Sequence, residues 1–380
     1  MTTRISVREQ LPLPFSKPQE VFTYSKTPDD KVLFDDSGLK YFYLPRADVE
    51  RRPIDLSAGF DATKFDAEGG KTTYIDSLLE VLVEYERRHG RTDAQIVTWR
   101  GCWRDIITLN RPHCNPYGAE LDMVVTGFDG QVFVAHAPKP DKPAGLAPNM
   151  SSEEKLKHLN NAKFNYTGYK FEQVAMLEKP WGECSRDEIE ERYTDTTFHP
   201  YSTEYDMLIR SKIGDVPLLY ACETDGVEGF KPVDGDLHRN YVELKTTNTI
   251  TNRWQAQKFE VKLYKTWVQS YLSRIPKVVY GFRDPKTMKL VTTEEFATDG
   301  MPKLITNSVV TPKPQRWSPK QTLGFFGVMA RFLRDRVEDG KSYSLKFDQK
   351  TQELVLAPTT IDIGRKVSFL TDEFVDWRST

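Results

Sequence analysis

The chain has 380 residues, 38% of them hydrophobic and 12% aromatic, and 53 basic residues against 55 acidic ones give a formal charge of −2. That composition supports a packed core and excludes global disorder; the near-zero charge excludes a surface that coats nucleic acid as a whole, while leaving room for a local basic groove. The four cysteines (Cys102, Cys114, Cys184, Cys222) form no C-x-x-C pair, so the expectation is a reduced intracellular protein without a zinc finger.

No apolar run approaches the ~20 residues that span a bilayer, and the N-terminal stretch MTTRISVREQLPLPF has no apolar signal core. No membrane partner is expected. Residues 1–60 mix short β-like runs with Pro and Asp turns. Ile75, Leu78, Leu79, Leu82, Val83 and Tyr85 recur at helical spacing, predicting a helix over 71–89 that Gly90 stops. QIVTWR, ELDMVVTGF and QVFVAHA read as strands, the last two joined by an Asp129-Gly130 hairpin turn. Residues 137–152 hold four prolines and read as an exposed loop; strand-like sequence resumes at KFNYTGYKFEQVAML, 163–177. SRDEIEERY predicts a short charged helix. Strands follow at 204–210, 216–224 and 241–247, then a helix over about 258–274, the strand KVVYGFRD, an amphipathic helix from Pro319, and a strand pair around 342–357. No repeat is visible and no regular βαβ rhythm. The expectation is one α+β domain, residues 1–380, around a central mixed β-sheet flanked by helices.

Two spacings carry chemistry. In YVELKTTNT, Glu243 and Lys245 share one strand face while Val242 and Leu244 share the other. An exposed edge strand with an ion pair would look like this, and so would a pair acting together on a ligand. Upstream, Glu223 and Asp225 repeat the two-residue spacing after the apolar run Leu218–Ala221. If the two strands are neighbours, three carboxylates and a lysine converge. Such carboxylates repel one another unless a hard cation such as Mg²⁺ or Mn²⁺ intervenes, and the Leu244 carbonyl is a further oxygen ligand. The following helix carries Lys262, Lys265, Thr266, Gln269 and Ser273 away from its apolar stripe. From Lys245 to Arg283 there are eight Lys/Arg and one acid, Glu260; from Glu223 to Glu243 there are six acids and two bases. An acidic cradle followed by a basic helix suits phosphodiester chemistry.

The order Asp, Glu-x-Lys, helix resembles the PD-(D/E)xK nuclease core. More narrowly, GYKFE at 168–172, ETD at 223–225 and ELK at 243–245 resemble the G-Φ-x-Φ-E, E-x-D and E-Φ-K motifs of the DXO family of eukaryotic RNA 5′-end decapping enzymes. TWRG at 98–101 is similar to that family's arginine motif, KTWVQSYL and VVYGFRD to its downstream helix and strand, and DLSAGFD at 55–61 to its N-terminal region. The resemblance implies that Glu172, Glu223, Asp225 and Glu243, with the Leu244 carbonyl, hold one or two Mg²⁺ or Mn²⁺ ions. It implies that Lys245 and Gln269 contact the scissile phosphate or attacking water, and Arg100 an RNA phosphate. Lys262 and Lys265 are expected along the RNA backbone, and Lys245 is expected beside the phosphate and out of a simple ion pair with Glu243. The Pro-rich loop departs from the family pattern, as does Cys102-Trp103-Arg104. His113, His136, His199 and His238 lack ligand spacing and are expected to be structural or at the surface.

The activity implied is metal-dependent hydrolysis at RNA 5′ ends: loss of incomplete or NAD-type caps, and pyrophosphate release from 5′-triphosphate RNA, with 5′–3′ exonuclease activity in some branches. The fungal branch implies a nuclear 5′–3′ exoribonuclease partner and a nuclear location. A second reading makes the chain mainly a stabilising binding partner of that exoribonuclease, with catalysis secondary, and a third makes it a DNA nuclease with the same core.

Overall fold

The computed structural model describes residues 1–62, 65, 74–111, 120–138, 150–197 and 202–380. The elements that carry the site are, in chain order, α1 (Asp76–His89), β1 (Ile96–Trp99), α2 (Arg100–Thr108), α3 (Ser152–Ala175), β2 (Val216–Thr224), β3 (Gly226–Glu228), β4 (Tyr241–Asn248), α4 (Arg253–Ser273), β5 (Lys277–Arg283), β6 (Lys289–Ala297) and α5 (Pro319–Arg336). Strands and helices mix as expected, but the β structure forms two mixed sheets, one ten-stranded and one seven-stranded. In the larger sheet β2 runs parallel to β1 and antiparallel to Glu204–Ile213. In the smaller, β4 runs parallel to β5, which pairs antiparallel with β6.

Alternation along the strands builds three cores. Leu218 and Tyr220 of β2 and Val278 and Tyr280 of β5 face a shared interior filled by Trp103 and Ile106 of α2, Leu263 and Trp267 of α4, and Phe325 and Phe326 of α5. This interior holds both sheets together. Leu219 and Ala221 face the other way, against Leu78, Leu79 and Leu82 of α1. Val242 and Leu244 of β4, with Val279, pack against Phe171, Val174 and Ala175 of α3. Each of these side chains takes the face its sequence parity requires.

The segment 163–177, expected as a strand, is mostly helix: α3 runs from Ser152 to Ala175, and only Met176–Leu177 is extended. The aromatic residues there suggest β propensity, yet the buried positions Ala162, Tyr166, Lys170 and Val174 recur every four residues, the period of a helix face. A capping box starts the helix. Ser151 Oγ accepts from Glu154 N at 3.2 Å, and Glu154 Oε2 accepts from Ser151 N at 2.8 Å. The expected loop 137–152 therefore ends at this cap; its residues 139–149, like His113, Cys114 and His199, lie outside the described residues. The strand expected at QIVTWR stops at Trp99, and Arg100 opens α2.

α3 meets the smaller sheet where the strand has no side chain. A Cβ on Gly281 of β5 would stand 2.7 Å from Phe171 Cε2 and 2.9 Å from Leu290 Cδ1. Phe171 precedes Glu172, so this close approach fixes the depth at which Glu172 is held. Gly281→Ala should cost about 1–3 kcal/mol through overpacking, read as a lower urea midpoint with unchanged slope. An unchanged midpoint would show that α3 yields without cost.

Candidate active site

The chain leaves the larger sheet at Thr224 and enters the smaller at Gly226, so Asp225 sits at the crossing. β2 and β4 therefore belong to different sheets, and their acidic residues meet because the sheets part there. Gly226 is required at this corner: a Cβ would lie 2.5 Å from the Lys40 carbonyl oxygen. Across the junction the Leu244 N–H donates to Asp225 Oδ2, tying the corner to the middle of β4.

Glu172, Glu223 and Asp225 line one cleft of about 440 Å³, together with Lys40, Tyr169, Glu178 and Glu204. Glu243 lies at the same junction, buried on the α4 side of β4. Lys245 donates to Glu243 Oε1 and, at 3.0 Å, to the Leu244 carbonyl. Gln269 Nε2 donates to the same Glu243 oxygen at 2.5 Å. The other oxygen, Oε2, has no hydrogen-bond partner among the described residues and faces Arg100 Nη1 at 3.6 Å. Lys245 is thus in an ion pair with Glu243, against expectation. Groups two apart on one strand face are neighbours, and burial strengthens their attraction.

The electrostatics separate two kinds of carboxylate. Burial pushes Glu172 up to about 8 and Asp225 up to about 7, reinforced by the charge of Asp225 on the first and of Glu243 on the second. Glu223 opens on the cleft, yet the protein packed around its carboxyl strips water from it and drives it well above the ordinary range, with Glu204 and then Asp225 adding to the shift. Burial acts on Glu243 in the same direction, but the Lys245 ammonium and Arg100 guanidinium outweigh it and hold that carboxyl low. Lys245, half-buried, is held charged by Glu243 and then Asp225 against the loss of water around it. Three acids with too little positive charge, an orphaned carboxylate oxygen and a carbonyl in the same place form the oxygen-rich donor set that Mg²⁺ or Mn²⁺ prefers. Among the described residues no three acidic, imidazole or thiol side chains already stand close enough together to hold a metal ion by themselves. The donor set fits a hard cation that completes its shell with water and substrate oxygens.

The remaining residues singled out by sequence lie around this centre. Arg100 is 8% exposed and its Nη1 donates to Ser273 Oγ at 2.9 Å, so it supports Glu243 from beneath. Lys262 donates to Thr247 Oγ1 at 3.1 Å, one strand end away from the acids, and Lys265 lies one turn closer to Gln269. His238 is a satisfied core residue: it accepts from Glu20 N and donates to the Ser273 carbonyl, and burial lowers it to about 4. His136 is held charged, pushed up to about 10 by its bond to Asp105.

Sequence reasoning missed Arg104, whose Nη1 donates to Gln269 Oε1 at 3.4 Å and whose Nε donates to Asp105 at 2.9 Å. Its signal was the four-residue spacing from Arg100, which shares a face once the segment is helical. Glu204 and Asp206 were missed as well, although Glu-x-Asp is written there as at 223–225. Asp206 pairs directly with Glu223 across the strands and is pushed up to about 7, mainly by burial.

The raised groups make a sign-definite expectation. In chelator, the folded chain keeps protons on Glu172 and Asp225 that the unfolded chain releases above its ordinary values of 4.5 and 3.8. Stability is full below those values and falls as pH rises through about 7 and 8. Thermal unfolding between these limits should show that fall, Glu172→Gln should flatten it, and Mn²⁺ should restore stability most at the alkaline end. A profile equally steep in the variant would remove Glu172 from the cluster.

Known proteins share this fold and sequence. Residues 16–375 match the family described as RAI1 like PD-(D/E)XK nuclease. The decapping nuclease RAI1 of Yarrowia lipolytica is 34% identical over 377 residues, covering 99% of both chains. The crystal structure of Candida albicans Rai1 in complex with pU5-Mn²⁺ superimposes with a TM-score of 0.84 at 28% identity, covering 100% of this chain and 99% of that one. That of Scheffersomyces stipitis Rai1 in complex with (3′-NADP)⁺ and calcium ion gives 0.79 at 28%, covering 99% of each. With residues 16–375 matched and its whole fold shared, the chain belongs to the RAI1-like PD-(D/E)XK nuclease family.

Proposed function

We propose that the chain is a divalent-metal-dependent hydrolase of RNA 5′ ends, releasing pyrophosphate from 5′-triphosphate RNA and removing incomplete or NAD-type caps. The observation that carries this reading is the junction itself. Glu172, Glu223 and Asp225 crowd one cleft with raised proton affinity, while Lys245 and Gln269 both reach Glu243 beside them. Family membership and the relatives solved with a 5′-phosphorylated RNA and Mn²⁺, or with (3′-NADP)⁺ and calcium ion, support the choice of substrate and metal.

Glu172, Glu223, Asp225, Glu243 and the Leu244 carbonyl would hold the ion. Bound there, Mg²⁺ or Mn²⁺ would neutralise charge on the reacting phosphate and make water a better nucleophile. The protein groups do the rest. Lys245 offers a half-buried ammonium that can turn one of its protons from Glu243 to a phosphate oxygen as negative charge develops there. Gln269 has a fixed amide, its Nε2 held by Glu243 and its Oε1 by Arg104, and that fixed oxygen can accept a hydrogen bond from an attacking water and so orient it. Arg100 keeps Glu243 ionised, and so available, from the protein side. Lys262 and Lys265 extend the positive field along α4 toward the RNA backbone. A nuclear 5′–3′ exoribonuclease partner and a nuclear location belong to the proposal on family resemblance alone; co-purification from native extract tests the first.

Asp225→Asn should reduce pyrophosphate release from 5′-triphosphate RNA to background while leaving the far-UV spectrum intact. Lys245→Met keeps the length of the side chain and removes its charge. It should lower the rate at saturating RNA by ~10²-fold or more, as loss of one preorganised donor does, with little change in RNA affinity. Near-normal turnover by either variant contradicts the site, and faster cleavage of duplex DNA than of 5′-triphosphate RNA by the parent protein contradicts the substrate.

A further inference from the structure

The solvent side of α4 is a single stripe. Trp254, Lys258, Lys262, Lys265 and Gln269 follow one another at intervals of three or four residues, so they share one helix face. At 1.5 Å per residue the stripe is about 22 Å long, and it ends at the residue bonded to Glu243. Trp254, at the far end, is 62% exposed, and Lys258 Nζ stands 3.5 Å from its ring centroid. A lone exposed tryptophan calls for no explanation; one braced by a cation, at the head of a cationic track, does.

Beside the stripe, Arg283 at the end of β5 is 8% exposed, and its Nε and Nη1 have no hydrogen-bond partner among the described residues. Its guanidinium lies 5.2 Å from the ring centre of Phe164 of α3. Burial lowers the proton affinity of Lys262, and Arg283 and Lys258 lower it further. The segment's one acid, Glu260, is turned away from these cations and held by the hydroxyls of Ser308 and Thr311. The track therefore calls for an anion of some length that also carries a flat face.

We propose that Trp254, braced by Lys258, is a base-stacking platform for single-stranded RNA downstream of the reacting 5′ end, with Lys262 and Arg283 holding the intervening phosphate backbone. This rests on the reading of RNA 5′ ends as substrate and deepens it. A duplex keeps its bases stacked on one another and offers Trp254 no free face, whereas an unpaired strand offers one at each nucleotide. The regular cations account for backbone affinity without sequence preference.

The test compares chain lengths. Turnover of a 5′-triphosphate diuridine and of an oligouridine of about ten nucleotides is measured with Mn²⁺. In parallel, binding of 5′-monophosphorylated, 3′-fluorescein-labelled oligouridines is followed by anisotropy in Ca²⁺. Trp254→Ala should lower kcat/KM and affinity for the longer RNA about tenfold, the loss of one base–aromatic stack, and leave the dinucleotide unchanged. Trp254→Phe should keep most of the effect, and Lys258→Ala should lose part of it. Equal losses on both lengths, or unchanged binding of the longer RNA, would overturn the platform; unchanged binding would assign the patch to a protein partner. If the parent protein hydrolysed neither RNA, the proposed activity would fall, and the anisotropy series would still decide the platform.

Discussion

Several carboxylates cannot be crowded together at the edge of the interior unless positive charge is brought to them, and the fold is organised around that constraint. The charge of Glu243 is balanced from within the protein, by Lys245 on its own strand and Arg100 from the start of α2, while Gln269 of α4 bonds one of its oxygens. Glu172, Glu223 and Asp225 are not, and their raised proton affinities record the deficit. One acid is thus fixed as an anion while its neighbours wait for a cation. Environment alone assigns these roles to otherwise similar side chains.

The backbone enforces the arrangement by a route that no single strand could provide. β2 brings Glu223 in one sheet, β4 brings Glu243 in another, and the single residue between the sheets is Asp225, bonded back to the Leu244 amide. Glu172 comes from a helix whose depth is set by Phe171 over Gly281. Three chain segments thus meet at one point, each fixed by its own packing. α4 then serves two purposes, burying Leu263 and Trp267 in the shared interior while its outer stripe runs from Gln269 to Trp254.

Much of this arrangement is legible in the amino-acid sequence. Two-residue spacing puts Glu243 with Lys245 and Glu223 with Asp225, because strand alternation is a local rule that tertiary context seldom overrides. The helix around Gln269 and the hairpin at Asp129-Gly130 are equally readable. What the sequence conceals is whatever needs a choice between periods or a view across sheets. The aromatic residues of 163–175 favour a strand over the four-residue repeat that makes them helical, and ending β1 one residue late hides the shared face of Arg100 and Arg104. That β2 and β4 lie in separate sheets is decided by the packing of α2, α4 and α5 between them, which no short window of sequence contains.

Because the carboxylates of β2 and β4 ride on different sheets, their spacing is set by the interior that separates the sheets. Trp103 against Phe326, with ring centres 4.8 Å apart, and Trp267 in the same core act at a distance as spacers for the acidic centre. Conservative changes in that aromatic layer would shift one sheet against the other by fractions of an ångström, too little to unfold the chain but enough to detune ligands on opposite sides. The mutational sensitivity of this enzyme should therefore run in layers, with a further set of function-determining positions deep in the hydrophobic interior and far from any polar group.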